Sequence, residues 1–321
     1  MPIANLTAES GHLMACILAI FRSGKMKYFG KNTWVYLDGE FVKAERTAID
    51  LFGQSLHYGY SAIEGIRAYN THNGTRLFRA EQHYERLRHS CERAGIAFRW
   101  ETDLLIEKTY QLLEKNNLRS AYVRPLVTTG HNMYLTPASD SSIVIAAWEW
   151  GPFLGTDLIR TTLSPYQRPN PKSMLVDAKI AGQYVISIMA TTEATNRGFD
   201  EAILLDSDGY VAQASSNNLF IEKDATLYTP SQGYIFPGIT RQTVLEIANI
   251  FNIDVVEKQI SAEELKSADS AFLTGTATGI VGIAGVDDTT FPEEWSDTLG
   301  ATMQRAYKNL TLEKENYEVI I

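Results

Sequence analysis

The sequence predicts an α+β protein of two domains. A chain of 321 residues with 45% hydrophobic and 21% charged residues is long enough to bury two cores. Strand pairs around turn residues recur along the chain and are interrupted by amphipathic helices, without a regular β-α-β alternation. We expect a small α+β domain over residues 34–150, a linker over 151–160 that contains the turn-rich stretch "GPFLGTD", and a larger domain over 161–321.

Residues 1–33 are expected to form an N-terminal extension. The stretch "HLMACILAIFRSGKM" holds about ten apolar residues, which is too short to span a bilayer. A signal peptide carries its positive residues before the apolar run, whereas Arg22, Lys25 and Lys27 follow it here. We therefore interpret the segment as an accessory extension or the result of an upstream start codon, with Met26 as an alternative beginning.

In the first domain, turn residues separate β-rich runs. "WVYLDGEFV" predicts a hairpin around Asp38–Gly39, and "GIRAYNTHNGTRLFR" predicts another around Asn73–Gly74. Helical spacing of apolar residues predicts helices in "AEQHYERLRHSCERAG", which ends at Gly95, and in "LLIEKTYQLLEKNN". Two further strands are expected in "AYVRPLVTTG" and "SIVIAAWEW".

The second domain is expected to begin with a strand near "LIRTTLSPY" and the loop "QRPNPKSM". A buried helix should follow from about Ala181 to Arg197, with one apolar stripe of Tyr184, Val185, Ile188 and Met189. "EAILLDSDGYVAQ" and "NNLFIEKDATLYTP" predict hairpins. "TRQTVLEIANIF" predicts a helix whose inward residues are Val244, Ile247, Ala248 and Phe251.

Composition narrows the range of partners. The net charge of −9 and the pI near 5.3 argue against nucleic acid or an anionic membrane as a partner, since both require a basic surface. The two cysteines, Cys16 and Cys91, form no CxxC pattern, so we expect neither disulfides nor zinc, and a cytoplasmic location. The net negative charge leaves small molecules as the expected ligands. Because the sequence has no P-loop, GxGxxG or HExxH motif, neither a nucleotide-binding fold nor a metal site is expected.

Lys179, in "LVDAKIAGQYVIS", lies between a proline-rich loop and the predicted buried helix. One interpretation is a lysine whose aliphatic stem lies along apolar surface while its ammonium reaches water. The other is a desolvated lysine whose lowered pKa makes it a nucleophile for a Schiff base, as in the binding of pyridoxal phosphate.

Pyridoxal phosphate would also require an anion site. In "FPGITRQT", Ile239 and Thr240 would present backbone N–H groups at a helix start, although Thr240 could be only an N-cap. In "LTGTATG", small residues and Thr276 would allow close approach of an anion, although the segment could be an ordinary turn. Arg79 could clamp a phosphate or remain solvated.

The ordered segments "HYG…EGIR", "FRAEQHYERL", "AYVRPL", "AKIAGQY", "NNLF", "PGITR" and "GTA" resemble the fold type IV pyridoxal phosphate enzymes, and most closely the branched-chain amino acid aminotransferases. The resemblance runs from about Trp34 to beyond Val286. It implies a small N-terminal α/β sandwich, a larger domain with a β-barrel-like core, and a homodimer or higher homo-oligomer. It also implies transfer of the amino group of a branched-chain or similar apolar L-amino acid to 2-oxoglutarate through pyridoxamine phosphate.

The resemblance also implies roles for individual residues. Lys179 would carry the Schiff base and move the proton between the substrate and the cofactor. The positions that would hold the cofactor with it are Arg79, Tyr184, Gln213, Ile239, Thr240 and Thr276. The positions that would surround the substrate are Tyr58, Arg67, Tyr122, Arg124, Thr276 and Ala277. Tyr122 and Arg124 alternate along one strand, so both can reach one pocket.

Gln213 departs from the family pattern, which has a glutamate at the pyridine nitrogen. A neutral amide cannot balance a protonated ring nitrogen, so we expect catalysis to be slower. Three smaller departures, Ile63, Phe153 and Ser216, leave the preferred amino acid open. Two alternatives remain: a D-amino acid aminotransferase or aminodeoxychorismate-type lyase on the same fold, and a pyridoxal phosphate carrier or regulator with little turnover.

Overall fold

The computed structural model describes residues 28–30, 32–155 and 158–313, which form two β-sheets of seven and nine strands with helices packed against them. This arrangement confirms the predicted α+β class. Most of the predicted extension, including Cys16 and Met26, lies outside the described residues. Among the helices of the described ranges, none has the length and apolarity that crossing a bilayer requires.

The first sheet is antiparallel, with the strand order β2-β1-β7-β6-β4-β5 and with β3 paired to β6. Its strands are β1 (Trp34–Leu37), β2 (Glu40–Lys43), β3 (Ser61–Ile63), β4 (Ile66–Thr71), β5 (Gly74–Leu77), β6 (Ala121–Thr129) and β7 (Ser141–Trp148).

Three helices belong to the first half of the chain: α1 (Gln54–Tyr58), α2 (Ala80–Ala94) and α3 (Thr102–Lys115), with a short 3-10 turn at Ala44–Arg46. Tyr84, Leu87 and Cys91 of α2 are fully buried and form its apolar face, at the helical spacing from which this helix is predicted. Gly95 ends α2 in the left-handed conformation, as a C-terminal glycine commonly does.

The second sheet is mixed and curled into a half-barrel, with the order β10-β9-β8-β15-β14-β11-β12-β13 and with β16 paired to β15. Its strands are β8 (Ile159–Gln167), β9 (Glu201–Leu205), β10 (Val211–Ala214), β11 (Asn218–Lys223), β12 (Thr226–Pro230), β13 (Val255–Lys258), β14 (Ser270–Gly275), β15 (Gly279–Val286) and β16 (Thr289–Thr290). Its helices are α4 (Tyr184–Asn196), α5 (Ile239–Ile250), α6 (Ala262–Lys266) and α7 (Leu299–Leu312), with 3-10 turns at Ala181–Gln183 and Trp295–Asp297.

The apolar stripe predicted to be buried on α4 is wrong. Val185, Ile188 and Met189 are 59%, 65% and 41% exposed. The buried residues of α4 are the small ones Ser187, Ala190 and Ala194, because small side chains let the helix approach β8 and β9 closely. Apolar periodicity alone could not show which face of this helix meets the sheet.

Two boundaries also differ from the predictions. The second hairpin pairs Thr71 with Gly74, so its two-residue turn is His72–Asn73, one residue earlier than expected. Strand β8 begins at Ile159, inside the range predicted as linker. The division of the chain into domains at residues 150 and 161 stays a prediction.

A close contact between two glycines joins α1 to the segment that carries Lys179. Gly59 has a φ of +63°, and a Cβ atom placed on it would lie 2.6 Å from Gly182 Cα. The N–H of Gly182 donates a hydrogen bond to the Gly59 carbonyl at 2.9 Å. Any side chain at residue 59 would therefore push this backbone contact apart.

We predict that Gly59→Ala will lower the free energy of unfolding by about 1 to 3 kcal/mol more than Gly95→Ala does, because overpacking against backbone adds to the left-handed strain. Gly95 is the matched control, since it also ends a helix at a similar φ of +69° but would place its Cβ 3.6 Å from the nearest atom, on the Pro137 ring. Urea denaturation measures both values. Equal losses would show that the contact with Gly182 is not constraining.

Candidate active site

The backbone of Lys179 is held where the two sheets approach each other. Its N–H donates to Ser90 Oγ of α2 at 2.9 Å. Its carbonyl accepts the N–H of Ile63 at 2.9 Å, and the next residue, Ile180, bridges to Ala62 of β3. These bonds fix the origin of the Lys179 side chain relative to the first sheet.

The side chain of Lys179 points to Tyr184 and Phe236. Lys179 Nζ lies 2.7 Å from the hydroxyl of Tyr184 and 4.7 Å from the centre of the Phe236 ring. Burial raises the pKa of Tyr184, but the positive charges of Lys179 and Arg124 outweigh it, so the net shift is downward. The charge of Lys179 therefore favours the ionised form of the hydroxyl that it contacts.

A cavity of about 500 Å³ opens beside this pair. Its walls combine apolar residues with a few polar groups, as is typical of small-molecule sites. Ile63, Trp150 and Phe153 supply apolar surface. Of the residues predicted from the sequence, the cavity wall includes Lys179, Tyr184, Tyr122, Arg124, Thr276 and Ala277.

Tyr122 and Arg124 reach the cavity from β6, on which they are two residues apart. Arg124 Nη2 donates to the hydroxyl of Tyr122 at 3.0 Å, while Arg124 Nε is buried without a hydrogen-bond partner. A buried donor without a partner is costly, so Arg124 is suited to receive an acceptor such as a carboxylate.

Arg67 lies beside the cavity but is bonded to the backbone. Its guanidinium donates to the carbonyls of Trp150, Gly151 and Ala277, at 2.7 Å for Gly151 and 2.6 Å for Ala277. It thereby joins the segment after β7 to the turn between β14 and β15. In this structure Arg67 positions the cavity wall rather than lining it.

Tyr58 is not brought to the cavity. Its side chain is 46% exposed, and its hydroxyl donates to the carbonyl of Met133 at 3.2 Å. It borders a separate surface cleft with Tyr60 and Leu135. A substrate bound in the cavity of about 500 Å³ would therefore not contact Tyr58 of the same chain.

The predicted phosphate residues are divided between two places. Thr276 lines the cavity, whereas Ile239 and Thr240 form the first turn of α5 after the N-cap Gly238. The first N–H groups of a helix have no partner within it, so this turn is suited to an anion. Arg79 lies just before α2 and pairs with Glu246 of α5, with Nη1 3.2 Å from Glu246 Oε1.

Gln213 is 4% exposed and lines a second, small cavity of about 30 Å³, to which Phe236 and Arg168 also contribute. This small cavity shares Lys179 and Tyr184 with the larger one, and we call it the inner end of the cavity. Gln213 Oε1 accepts the N–H of Phe236 at 2.7 Å.

A buried ion cluster behind Lys179 was missed in the sequence. Glu64 is fully buried and accepts hydrogen bonds from His83 Nδ1 at 2.8 Å and from Arg86 Nε at 2.6 Å. Burial raises the pKa of Glu64, but Arg86 and His83 outweigh it and hold that pKa far below its usual range. Arg86 Nη1 also donates to the carbonyl of Pro237 at 2.9 Å, just before α5. His83 and Arg86 are three residues apart on one helix, a spacing that could have suggested a shared partner.

The site thus combines the amine of Lys179 and the phenol of Tyr184 with a largely apolar cavity, and the guanidinium of Arg124 can bind a carboxylate there. Within the described ranges, no group of three or more His, Cys, Asp or Glu side chains is arranged to hold a metal ion.

Comparisons with known proteins identify the family of this chain. The family model described as "Amino-transferase class IV" matches residues 61–286. The branched-chain-amino-acid aminotransferase of Pseudomonas aeruginosa is 36% identical over 282 residues, which cover 86% of this chain and 92% of that protein.

Two solved structures are similar over most of their length. A branched-chain aminotransferase from Thermoproteus uzoniensis with norvaline has a TM-score of 0.85 at 33% identity, covering 88% of this chain and 96% of its own. The branched-chain aminotransferase of Escherichia coli has a TM-score of 0.85 at 32% identity, covering 90% of this chain and 98% of its own. The chain therefore belongs to the class IV aminotransferase family.

Proposed function

We propose that this aminotransferase moves the amino group of a branched-chain or similar apolar L-amino acid to 2-oxoglutarate, with pyridoxal phosphate bound covalently to Lys179. The observation that carries the proposal is the 2.7 Å contact between Lys179 Nζ and the Tyr184 hydroxyl at the wall of a cavity of about 500 Å³. The relatives named above act on the same class of compounds, as their names state.

The residues present fit pyridoxal phosphate. Lys179 supplies a primary amine for its aldehyde, and Tyr184 supplies a polar partner for its phenolic oxygen. Ile239 and Thr240 would bind its phosphate through the N–H groups of the α5 start, with Thr276 as a further donor. Arg79 would add charge at the same end while still paired with Glu246, because a guanidinium has five N–H donors. When bound, the cofactor supplies electron withdrawal from the substrate Cα.

Side chains of the protein would carry out the proton transfer. Lys179 Nζ would take the proton from the substrate Cα and deliver it to the C4′ carbon of the cofactor. The Tyr184 hydroxyl, which accepts a hydrogen bond from Lys179 Nζ at 2.7 Å, would hold that amine in place. The cluster of Glu64, His83 and Arg86 would keep this part of the site rigid.

The cavity suits both substrates. Ile63, Trp150 and Phe153 offer apolar contact for a branched side chain. The partly unpartnered guanidinium of Arg124 would receive the second carboxylate of glutamate or 2-oxoglutarate. Another branched-chain amino acid aminotransferase of similar structure, 31% identical with a TM-score of 0.84, was solved in complex with N-(5'-phosphopyridoxyl)-L-glutamate, which supports glutamate as one partner of the reaction.

We also propose that the protein is a homodimer. Exposed apolar residues of two segments, 49–58 and 133–135, lie together because Gln54 Nε2 donates to the carbonyl of Tyr134 at 2.6 Å. Tyr134 and Leu135 are 81% and 90% exposed, which is unusual for large apolar side chains that remain in water. A second copy on this surface would cover them and would place Tyr58 near a neighbouring site.

The first test concerns Lys179. Borohydride reduction of the cofactor-loaded protein should leave a phosphopyridoxyl group on the peptide that contains Lys179. Lys179→Ala should abolish that label and lower the rate of amino transfer by about 10² to 10⁴-fold, the usual contribution of a positioned acid–base group. Lys172→Ala is the control, because Lys172 is exposed in the preceding loop. Labelling of another lysine by mass spectrometry would refute the assignment.

The second test concerns Arg124 as the binding group for the second carboxylate. Arg124→Met should lower kcat/KM for 2-oxoglutarate by about tenfold to a hundredfold, since a hydrogen bond to a charged group is worth about 1.5 to 3 kcal/mol. Arg119→Met, at an exposed position just before β6, should leave it unchanged. An unchanged value in Arg124→Met would contradict the assignment.

The choice of amino donor separates the proposal from the alternatives on the same fold. Purified protein should transfer nitrogen from L-leucine, L-isoleucine or L-valine and not from D-amino acids. Transfer from D-amino acids alone would indicate the D-amino acid enzyme. Binding of the cofactor at Lys179 without transfer from any donor would indicate the carrier, for which Gln213 is the one supporting observation.

The fourth test concerns the homodimer. Leu135→Asp should convert the dimer to a monomer in multi-angle light scattering, because the substitution would bury a charge in the apolar contact. Leu104→Asp is the control, since Leu104 is 40% exposed on α3, away from this surface. A monomeric wild-type protein at micromolar concentration would contradict the proposal.

A further inference from the structure

The side-chain amide of Gln213 is oriented by two hydrogen bonds. Its Oε1 accepts the backbone N–H of Phe236 at 2.7 Å, and its Nε2 donates to the carbonyl of Ala214 at 3.2 Å. A backbone N–H can only donate and a carbonyl can only accept, so both bonds require the same orientation of the amide. Nε2 keeps one further hydrogen atom, so in this orientation Gln213 has a free N–H donor for another partner.

Arg168 presents a second donor in the same place. It follows β8, is 7% exposed, and lines the inner end of the cavity together with Gln213, Tyr184 and Lys179. Its Nε is buried without a hydrogen-bond partner. Burial lowers the pKa of Arg168 and the nearby Tyr184 raises it, with the first effect the larger. A buried N–H without an acceptor is costly and marks a place where an acceptor can bind.

The other charged groups around this end of the cavity are mostly positive. Lys179 Nζ and the Arg86 guanidinium each lie 4.7 Å from the centre of the Phe236 ring, and Arg124 lies on the cavity wall. The only acidic group among the residues described at this inner end is the phenol of Tyr184, which already accepts from Lys179.

Two buried carboxylates lie behind this region, and both are engaged elsewhere. Glu64 accepts from His83 and Arg86, as described above. Glu201 of β9 accepts from Ser215 Oγ at 2.9 Å and from the N–H of Ala202 at 2.7 Å, and burial raises its pKa, which favours its neutral form. In the described part of the chain, neither carboxylate lines the cavity.

We propose that Gln213 and Arg168 hold the ring nitrogen of bound pyridoxal phosphate unprotonated. The inference rests on the proposed function, since it requires the cofactor attached at Lys179. An unprotonated ring nitrogen is a hydrogen-bond acceptor and matches two donors, whereas a protonated one would face the donor of Gln213 and the positive charge of Arg168. A carboxylate at residue 213 would instead accept a hydrogen bond and add a negative charge, so it would favour the protonated ring nitrogen.

The direct measurement is the ¹⁵N NMR spectrum of the cofactor-loaded protein, prepared with pyridoxal phosphate labelled at the ring nitrogen. The wild type should show the resonance of an unprotonated pyridine at neutral pH. Gln213→Glu should show that of a pyridinium, together with a rise of about tenfold in the single-turnover rate. Arg168→Met should raise the pKa of the ring nitrogen above its wild-type value, because a buried positive charge is removed.

Gln183→Glu is the matched control, because Gln183 lines the same end of the cavity and the substitution adds the same charge. It should leave the ring nitrogen unprotonated, and a pyridinium resonance in this variant would refute the specific role of Gln213. A pyridinium resonance in the wild type would overturn the inference while leaving the proposed function intact. Failure of the labelled cofactor to bind at Lys179 would overturn both.

Discussion

The site depends on the hydrogen bonds that hold the main chain around Lys179. A lysine side chain has four rotatable bonds, so its amine is positioned only as well as its backbone. Here the N–H and the carbonyl of Lys179 are both bonded to the first sheet and its helix, while the following residues lead into α4 on the second sheet. The amine is therefore fixed relative to both halves of the molecule. The contact between Gly59 and Gly182 stabilises the same crossing from the other side.

The cluster of Glu64, His83 and Arg86 shows how charge is managed near this amine. A buried carboxylate is tolerated because a guanidinium, an imidazole and a backbone N–H all donate to it. Arg86 in turn reaches the carbonyl of Pro237, so the same ion pair connects the first sheet to the start of α5. One electrostatic cluster thus sets the distance between the lysine and the helix start proposed to bind phosphate.

Local patterns in the sequence predicted the class of the fold and several elements, because hairpin turns and the apolar face of α2 involve residues close in sequence. The sequence itself indicates Lys179, the family resemblance implies Tyr184, Tyr122 and Arg124, and the structure brings all four to one cavity. Their roles stay predictions. Arg168 was missed because its neighbour Gln213 is far along the chain, and only the pairing of β8, β9 and β10 brings them together. The exposed face of α4 was misjudged because small residues, not large ones, contact the sheet.

That exposed face has a consequence for how the family can diversify. Ile188 is 65% exposed on α4 and also lines the cavity, while the packing of the helix depends on Ser187, Ala190 and Ala194. Exchanges at Ile188 therefore reshape the entrance at little cost in folding, since few buried contacts are lost. A change of substrate preference through Ile188 would therefore need no compensating substitutions in the core, which makes this position a natural starting point for new specificities.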